Sequence, residues 1–276
     1  SPPPQTPPEP SSRRPSGAAL VAIAVVIGLI VGFGVVLGIV SLTGSGSKSP
    51  QSSAALPQSP AATAPPVFTA PTTTTPADPS ATVLPGLVIQ QADLASGYSV
   101  QQLQGGDQVS GQTTLDLCNG TFPSEALRSA RLQVVAVDGQ GNDVVSTEAV
   151  LYKTPADAAQ AFAELKSVTA ACPSTPVVSP VGEPTVTTKF NAAPDGTWPQ
   201  TPTVERLAFD FVTTDAAGQT QHNTAVYLHR GRALMGIYFA APDQPQPAIA
   251  GQTTIPSIVT VFADRLAQLP ATAVNG

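Results

Sequence analysis

Residues 131–170, RLQVVAVDGQGNDVVSTEAVLYKTPADAAQAFAELKSVTA, carry the pattern that decides the fold. RLQVVAVD (131–138) alternates apolar and polar side chains, GQGN supplies turn-forming residues, and DVVSTEAVLY (143–152) alternates again. Successive strand residues point to opposite faces, so two such runs joined by a short turn predict an antiparallel hairpin. The period then changes. Thr154 is placed to cap a helix, Pro155 suits a first turn that needs no N–H, and Asp157 sets a carboxylate against the positive end of the helix dipole. Ala158, Ala161, Phe162, Leu165 and Val168 recur at helical spacing and form one apolar face.

Downstream, a proline-rich passage leads to PTVTTKF, and the loop NAAPDGTWPQTP holds the single tryptophan, Trp198. VERLAFDFVTTD (204–215), TQHNTAVYLHR (220–230) and RALMGIYFA (232–240) read as three further strands. The short Gly-containing links between them make antiparallel neighbours. TTIPSIVTVFADRLAQLP places Ile258, Phe262, Leu266 and Leu269 on a second apolar helical stripe. Strands gathered around two long helices predict an α+β fold, an antiparallel β-sheet flanked by helices, as one domain over residues 86–276.

Upstream the texture differs. Residues 1–17, SPPPQTPPEPSSRRPSG, are rich in proline and small polar residues and bury too little to offset chain entropy, so they read as a disordered cytoplasmic segment. Residues 18–42 contain no charge and would span roughly 37 Å as a helix, enough for a bilayer core of about 30 Å. The run is longer than a signal-peptide core of about 7–15 residues, and predicts a single transmembrane helix. Arg13 and Arg14 before it, against Lys48 after it, put the N-terminus in the cytoplasm and the C-terminal domain outside the plasma membrane. Gly28, Gly32, Gly34 and Gly38 form two G-x-x-x-G spacings that allow a homodimer, or reflect only the ordinary frequency of glycine in such helices. Residues 43–85, rich in Pro, Ser and Thr, read as an extended stalk, and PTTTTP within it as an O-glycosylation site or a plain spacer.

The chain has two cysteines, Cys118 and Cys172. Outside the cytoplasm an even count favours a disulfide, and two cysteines permit one pairing. That bond would constrain the unfolded chain by about 4 kcal/mol. A nucleophilic Cys118 would need a base, and neither His222 nor His229 can be placed beside it from sequence; there is no C-x-x-C or H-x-x-x-H pattern for a metal.

Other chemistry is sparse. A formal net charge of -6 offers nucleic acid no electrostatic footprint. No phosphate-binding loop, no G-x-S-x-G elbow and no kinase or hydrolase signature occurs. His222 and His229 fall on one strand with odd separation and face opposite ways, with His229 expected at the surface. Asp138 and Asp143 flank a turn that either binds calcium or is simply a turn. Asn119-Gly120-Thr121 matches a glycosylation sequon, and Arg128 with Arg131 reads as solvated or as anion-binding.

QQADLASGY (90–98), TLDLCNGTFPSEALRSARLQV (114–134), VLYKTPADAAQAFAELKSVTAAC (150–172) and VYLHRGRALMGIYFA (226–240) before a terminal helix together form a recognisable order. It resembles the PknH-like extracellular sensor domains of actinobacterial receptor Ser/Thr kinases and related membrane-anchored sensor-like proteins. The resemblance implies an antiparallel sheet flanked by helices around a cleft for a small ligand. Kinase-linked members of that family carry two disulfides, whereas the cysteines here allow one. The expectation is a non-catalytic, membrane-anchored extracytoplasmic sensor or ligand-binding protein of the cell envelope, with no cofactor and no nucleic-acid partner. A protein-interaction module or an unfamiliar hydrolase are the alternatives. Arg131, Glu148 and Tyr152 on the first strands, and Arg206, Tyr227 and Tyr238 on the later ones, are the candidate ligand-binding residues, since Arg and aromatic side chains suit polar organic ligands.

Overall fold

The computed structural model describes residues 78–172, 177–179 and 182–276. The predicted disordered segment, membrane helix and most of the stalk lie outside the described residues. Among the described residues no helix is long and apolar enough to cross a membrane.

In chain order the elements are α1 (Leu84–Leu87), β1 (Ser99–Gln102), β2 (Arg128–Val137), β3 (Asp143–Tyr152), α2 (Pro155–Ala170), β4 (Val177–Ser179), β5 (Gly182–Phe190), β6 (Glu205–Asp215), β7 (Thr220–Arg230), β8 (Ala233–Phe239), α3 (Ile255–Ala267) and α4 (Ala271–Asn275). The strands form one 8-stranded sheet in the order β1-β2-β3-β8-β7-β6-β5-β4. Every neighbouring pair is antiparallel. The predicted hairpin is β2 and β3, closed by a turn in which the Asp138 carboxylate accepts from the Gln140 and Asn142 amides. That carboxylate is thus engaged by its own turn. The three strands read downstream are β6, β7 and β8, adjacent as expected.

Helix α2 begins as its sequence dictates. Thr154 Oγ1 accepts from the Asp157 amide and Asp157 returns the bond to the Thr154 amide, a reciprocal capping box. Its apolar face sets Ala158, Ala161, Phe162 and Leu165 against Tyr152, Tyr227 and Leu234 on one side of the sheet. Burial of Phe162 and Leu165 contributes about 1.5–3 kcal/mol each. Helix α3, capped by Thr254, sets Ile258, Val259, Phe262 and Leu266 against Val226, Leu228, Met235 and Ile237 on the other side. The central strands are therefore covered on both faces, and every residue of β8 is buried.

Two boundaries differ from the sequence reading. The stalk was expected to run to Pro85, but the chain is already packed at Asp78. Leu84 and Leu87 are core residues, and the Asp78 carboxylate accepts from the Ser80 amide at 2.9 Å, Ser129 Oγ at 2.6 Å and Arg232 Nη2 at 2.5 Å. Proline at 79 and 85 marks helix first turns here rather than an extended spacer. At the other boundary, β2 starts at Arg128, three positions before the alternation becomes visible.

The alternation itself has an unexpected origin. The polar members of β2 and β3, among them Arg131, Gln133, Ser146 and Glu148, are buried. They lie on the α2 face, and contacts from residues 105–125, which form no strand, reach them there.

Candidate ligand site on the α2 face

Register sets the site. Gln133, Glu148, Gly236, Tyr227 and Leu207 are successive cross-strand partners from β2 to β6. In the next row Val135, Ser146, Tyr238, Ala225 and Phe209 are partners in the same way. Directly opposed residues of neighbouring strands share a face, so both rows lie beneath α2 and the 103–127 segment.

A polar cluster fastens that segment down. Glu148 Oε1 accepts from Thr114 Oγ1 at 2.7 Å and pairs with Arg131 Nε. Arg131 also donates to the Gly105 carbonyl at 2.9 Å and to Gln133 Oε1. Arg128 donates to Thr114 Oγ1 at 2.7 Å and to the Gln112 carbonyl at 2.5 Å, and forms an ion pair of 3.0 Å with Glu125. The Glu125 carboxylate in turn accepts from the Thr114 and Leu115 amides. Asp116 is buried beside them. Ser124 Oγ donates to Glu164 Oε2 at 2.6 Å, which ties the covering segment to α2.

Three carboxylates and two guanidiniums are thus held in a region poor in water, and burial is the largest influence on the titration of Glu148 and Glu125. Burial pushes the Glu148 pKa up, with Arg131, Thr114 and Arg128 holding it back. Glu125 is raised for the same reason against the pull of Arg128, and the nearby Glu148 charge adds to the rise. The phenols of Tyr152, Tyr227 and Tyr238 are all pushed up, first by burial and then by neighbouring groups such as these carboxylates.

Beside the polar cluster runs a row of rings. Phe190 meets Phe209 at 5.9 Å, Phe209 meets Tyr227 at 6.1 Å, and Tyr227 meets Tyr238 at 5.9 Å, each edge to face. Phe190, Phe209 and Leu207 are half-buried, while Tyr227 and Tyr238 are buried. The row therefore leads from the surface to the carboxylates. Tyr238 leans back over Gly236, where a Cβ would overlap the phenol oxygen, so only glycine allows that orientation.

Three buried polar atoms on this face lack a hydrogen-bond partner among the described residues: Tyr238 Oη, Tyr152 Oη and Gln133 Nε2. The Tyr238 hydroxyl approaches Tyr227, and the Tyr152 hydroxyl approaches Ser124, without completing a bond. Burial of an unpaired polar group costs about 1–3 kcal/mol, so three on one face call for an explanation. All three can donate, and the rings beside them offer apolar faces. The arrangement suits a small molecule bearing oxygen acceptors and a flat or apolar surface.

Of the predicted site residues, Arg131, Glu148, Tyr152, Tyr227 and Tyr238 come together on this face. Arg206 does not. It lies on the α3 face, bound to Asp195 Oδ2 at 3.0 Å and the Pro199 carbonyl at 2.6 Å, with its guanidinium over Trp198. Arg128 and Arg131 are buried rather than solvated, and His229 is buried against the Phe162 ring rather than exposed. His222 and His229 do face opposite sides. Thr114, Asp116, Glu125, Gln133, Phe190 and Phe209 were not singled out from sequence. No group of His, Cys, Asp and Glu among the described residues is arranged to hold a metal.

The disulfide Cys118–Cys172 is formed, with Cα atoms 5.3 Å apart. It joins the covering segment to the C-terminal end of α2 and so closes that end of the site. Cys118 has a positive φ of 57°, backbone that L-residues rarely adopt.

No protein-family model and no curated protein matches the chain. Among solved structures, the domain is similar to the extracellular domain of PknH from Mycobacterium tuberculosis, with 12% identity, a TM-score of 0.40, and 67% of this chain and 95% of that chain covered. The Rv0999 ortholog from Mycobacterium smegmatis is also similar, with 12% identity, a TM-score of 0.34, and 67% and 93% covered.

Proposed function

We propose that this protein is a membrane-anchored, non-catalytic sensor whose outer domain binds a small polar molecule or cell-envelope component on the α2 face. One observation carries the reading. A row of rings runs from half-buried Phe190 to Tyr238, and it ends beside paired, buried carboxylates and beside three polar atoms that lack a hydrogen-bond partner among the described residues. The uncharged run at 18–42 and the proline-rich segment after it support an anchor and a spacer. A disulfide supports a domain that folds in an oxidising compartment.

The test is ligand-observed NMR on the full chain in nanodiscs, against a panel of envelope-derived sugars, short peptides and polyol head groups. At least one compound is expected to bind the wild type and to lose binding in Phe209→Ala and Tyr238→Phe, with the circular dichroism of both variants unchanged. Binding that persists in both variants would remove the site. A panel without any binder would sink the ligand reading, and conversion of a compound would sink the non-catalytic one.

A further inference from the structure

His222 sits between two carboxylates. Its Nε2 lies 2.7 Å from Asp210 Oδ1 on β6, and its Nδ1 contacts Asp243 Oδ2 in the loop after β8. A carboxylate oxygen only accepts, and a neutral imidazole has one N–H and one bare lone pair. Neutral His222 would therefore point a lone pair at one of the two carboxylates. Only the imidazolium satisfies both contacts at once.

The two carboxylates are not equivalent. Asp210 is also held by Asn191 Nδ2 at 2.8 Å and Thr224 Oγ1 at 3.0 Å, and its side chain is 18% exposed. The Asp243 side chain is 73% exposed, and His222 is its partner. The stretch around Asp243 is fastened again at Ile249, which bridges to Leu94, and at Ala250, whose amide donates to the Asp93 carbonyl at 2.8 Å. Upstream, Gln221 Nε2 reaches the Ala240 carbonyl only at 3.4 Å. Pro247 is buried, so among the described residues His222 is the hydrogen-bonding side-chain tie between Ala240 and that packed end.

We propose that His222 is the bolt of a pH-operated latch: as imidazolium it clamps residues 241–246 to the sheet through Asp243, and on losing its proton it releases them while keeping Asp210. The sign follows from the surroundings. Burial disfavours the charged ring, but the hydrogen bonds to Asp243 and Asp210 and their attraction outweigh it and lift the His222 pKa above its ordinary value. Burial likewise acts to raise Asp210, yet the bonds from Asn191, His222 and Thr224 hold its pKa below the usual range. A raised imidazole stabilises the closed form fully below about pH 6.5, and that contribution is lost as pH rises through the folded-state value. Asp210 keeps its contribution down to below about pH 4. The latch is therefore closed in mild acid and opens toward alkaline pH. Other charges facing this spot are few. Lys189 on β5 shares the face, in register through Val212. The Asp215 carboxylate is occupied by the Ala217 and Gln219 amides of its own turn.

The chain has two histidines, so histidine C2-proton exchange read by mass spectrometry separates them cleanly. On the full chain, His222 is expected to titrate above the ordinary imidazole value and to fall toward it in Asp243→Asn. Backbone amide exchange within residues 241–246, corrected for intrinsic base catalysis, should lose protection across the same titration, by up to about tenfold per pH unit for one proton. His222→Gln should make that protection independent of pH. Titration at or below the ordinary value, or protection in the wild type that ignores pH, would overturn the latch. So would a pH-dependent loop in His222→Gln.

Discussion

Glu148→Gln tests whether the polar cluster is a coupled unit. Arg131 and Glu148 are each 1% exposed, so neutralising the carboxylate leaves a guanidinium buried without its counter-charge. Stranding one member of a buried pair typically costs about 3–5 kcal/mol. Arg131 retains the Gly105 carbonyl and Gln133 Oε1, and the new amide oxygen can still accept from Arg131 Nε. Because burial already opposes the Glu148 charge, the loss should fall short of that range, at about 1–2 kcal/mol. Replacing both partners, Arg131→Met with Glu148→Leu, removes the two charges together and should cost less than the sum of the single changes. It still deprives Thr114 Oγ1 of an acceptor, worth about 1 kcal/mol. Urea unfolding followed by the fluorescence of Trp198, the single tryptophan, gives the values for Glu148→Gln, for Arg131→Met and Glu148→Leu singly, and for the double variant.

The same variant has a pH signature. Because burial raises the folded-state pKa of Glu148, the folded protein binds that proton more tightly than the unfolded chain does. Its contribution is present in full below about pH 4.3 and is lost as pH rises through the folded value. Glu148→Gln should abolish that part of the stability profile. A loss under about 1 kcal/mol at neutral pH, together with a double variant worse than the two singles combined, would show that Arg131 and Glu148 do not act as a pair.

Three further outcomes are expected. Cys118→Ala with Cys172→Ala releases a loop with a sequence separation of 54 and should cost about 4 kcal/mol in urea, with free thiols absent from the oxidised wild type. Gly236→Ala should destabilise by about 1–3 kcal/mol through overlap with the Tyr238 hydroxyl, and Tyr238→Phe in the same chain should recover part of that loss; no recovery would place the clash elsewhere. At Asp78 burial acts to raise the carboxyl, but bonds from Ser129, Ser80 and Arg232 hold its pKa down, so its contribution is present above about pH 4 and lost as pH falls through the folded value. Limited proteolysis near residue 78 should accelerate on acidification in the wild type, and Asp78→Asn should be equally susceptible throughout.

Local rules made the frame legible. Thr154, Pro155 and Asp157 act within one helical turn, and the β6–β7 and β7–β8 links are short enough to fix their neighbours, so α2 and those strands follow from adjacent residues. Pairing between β3 and β8 was not legible in that way. The 80 residues from 153 to 232, with four other strands, separate them, and no turn sets their register. The start of the domain is not legible because Pro79 and Pro85 satisfy a linker composition and a helix first turn equally well. What distinguishes the two is Arg232, 154 positions away, on which Asp78 closes.

The site shows the limit of alternation as a signal. A period of two states that a strand has two unlike faces, but an arginine facing water and an arginine facing a buried glutamate give the same letters. Arg131, Glu148, Tyr152, Tyr227 and Tyr238 share one face because their register positions agree. Arg206 failed by one residue, since its neighbour Leu207 is the partner of Tyr227 and a shift of one turns a side chain through the sheet. The covering segment was invisible for a different reason. Thr114, Asp116 and Glu125 form no regular element of their own with the sheet, and their roles arise from contacts to Arg128, Arg131 and Glu148. Opposite charges at diagonal positions of a hairpin, Arg131 across from Val150 and Glu148 across from Gln133, are a local trace of such a cover. A solvated face gains little from them, whereas a covered face cannot hold either one alone.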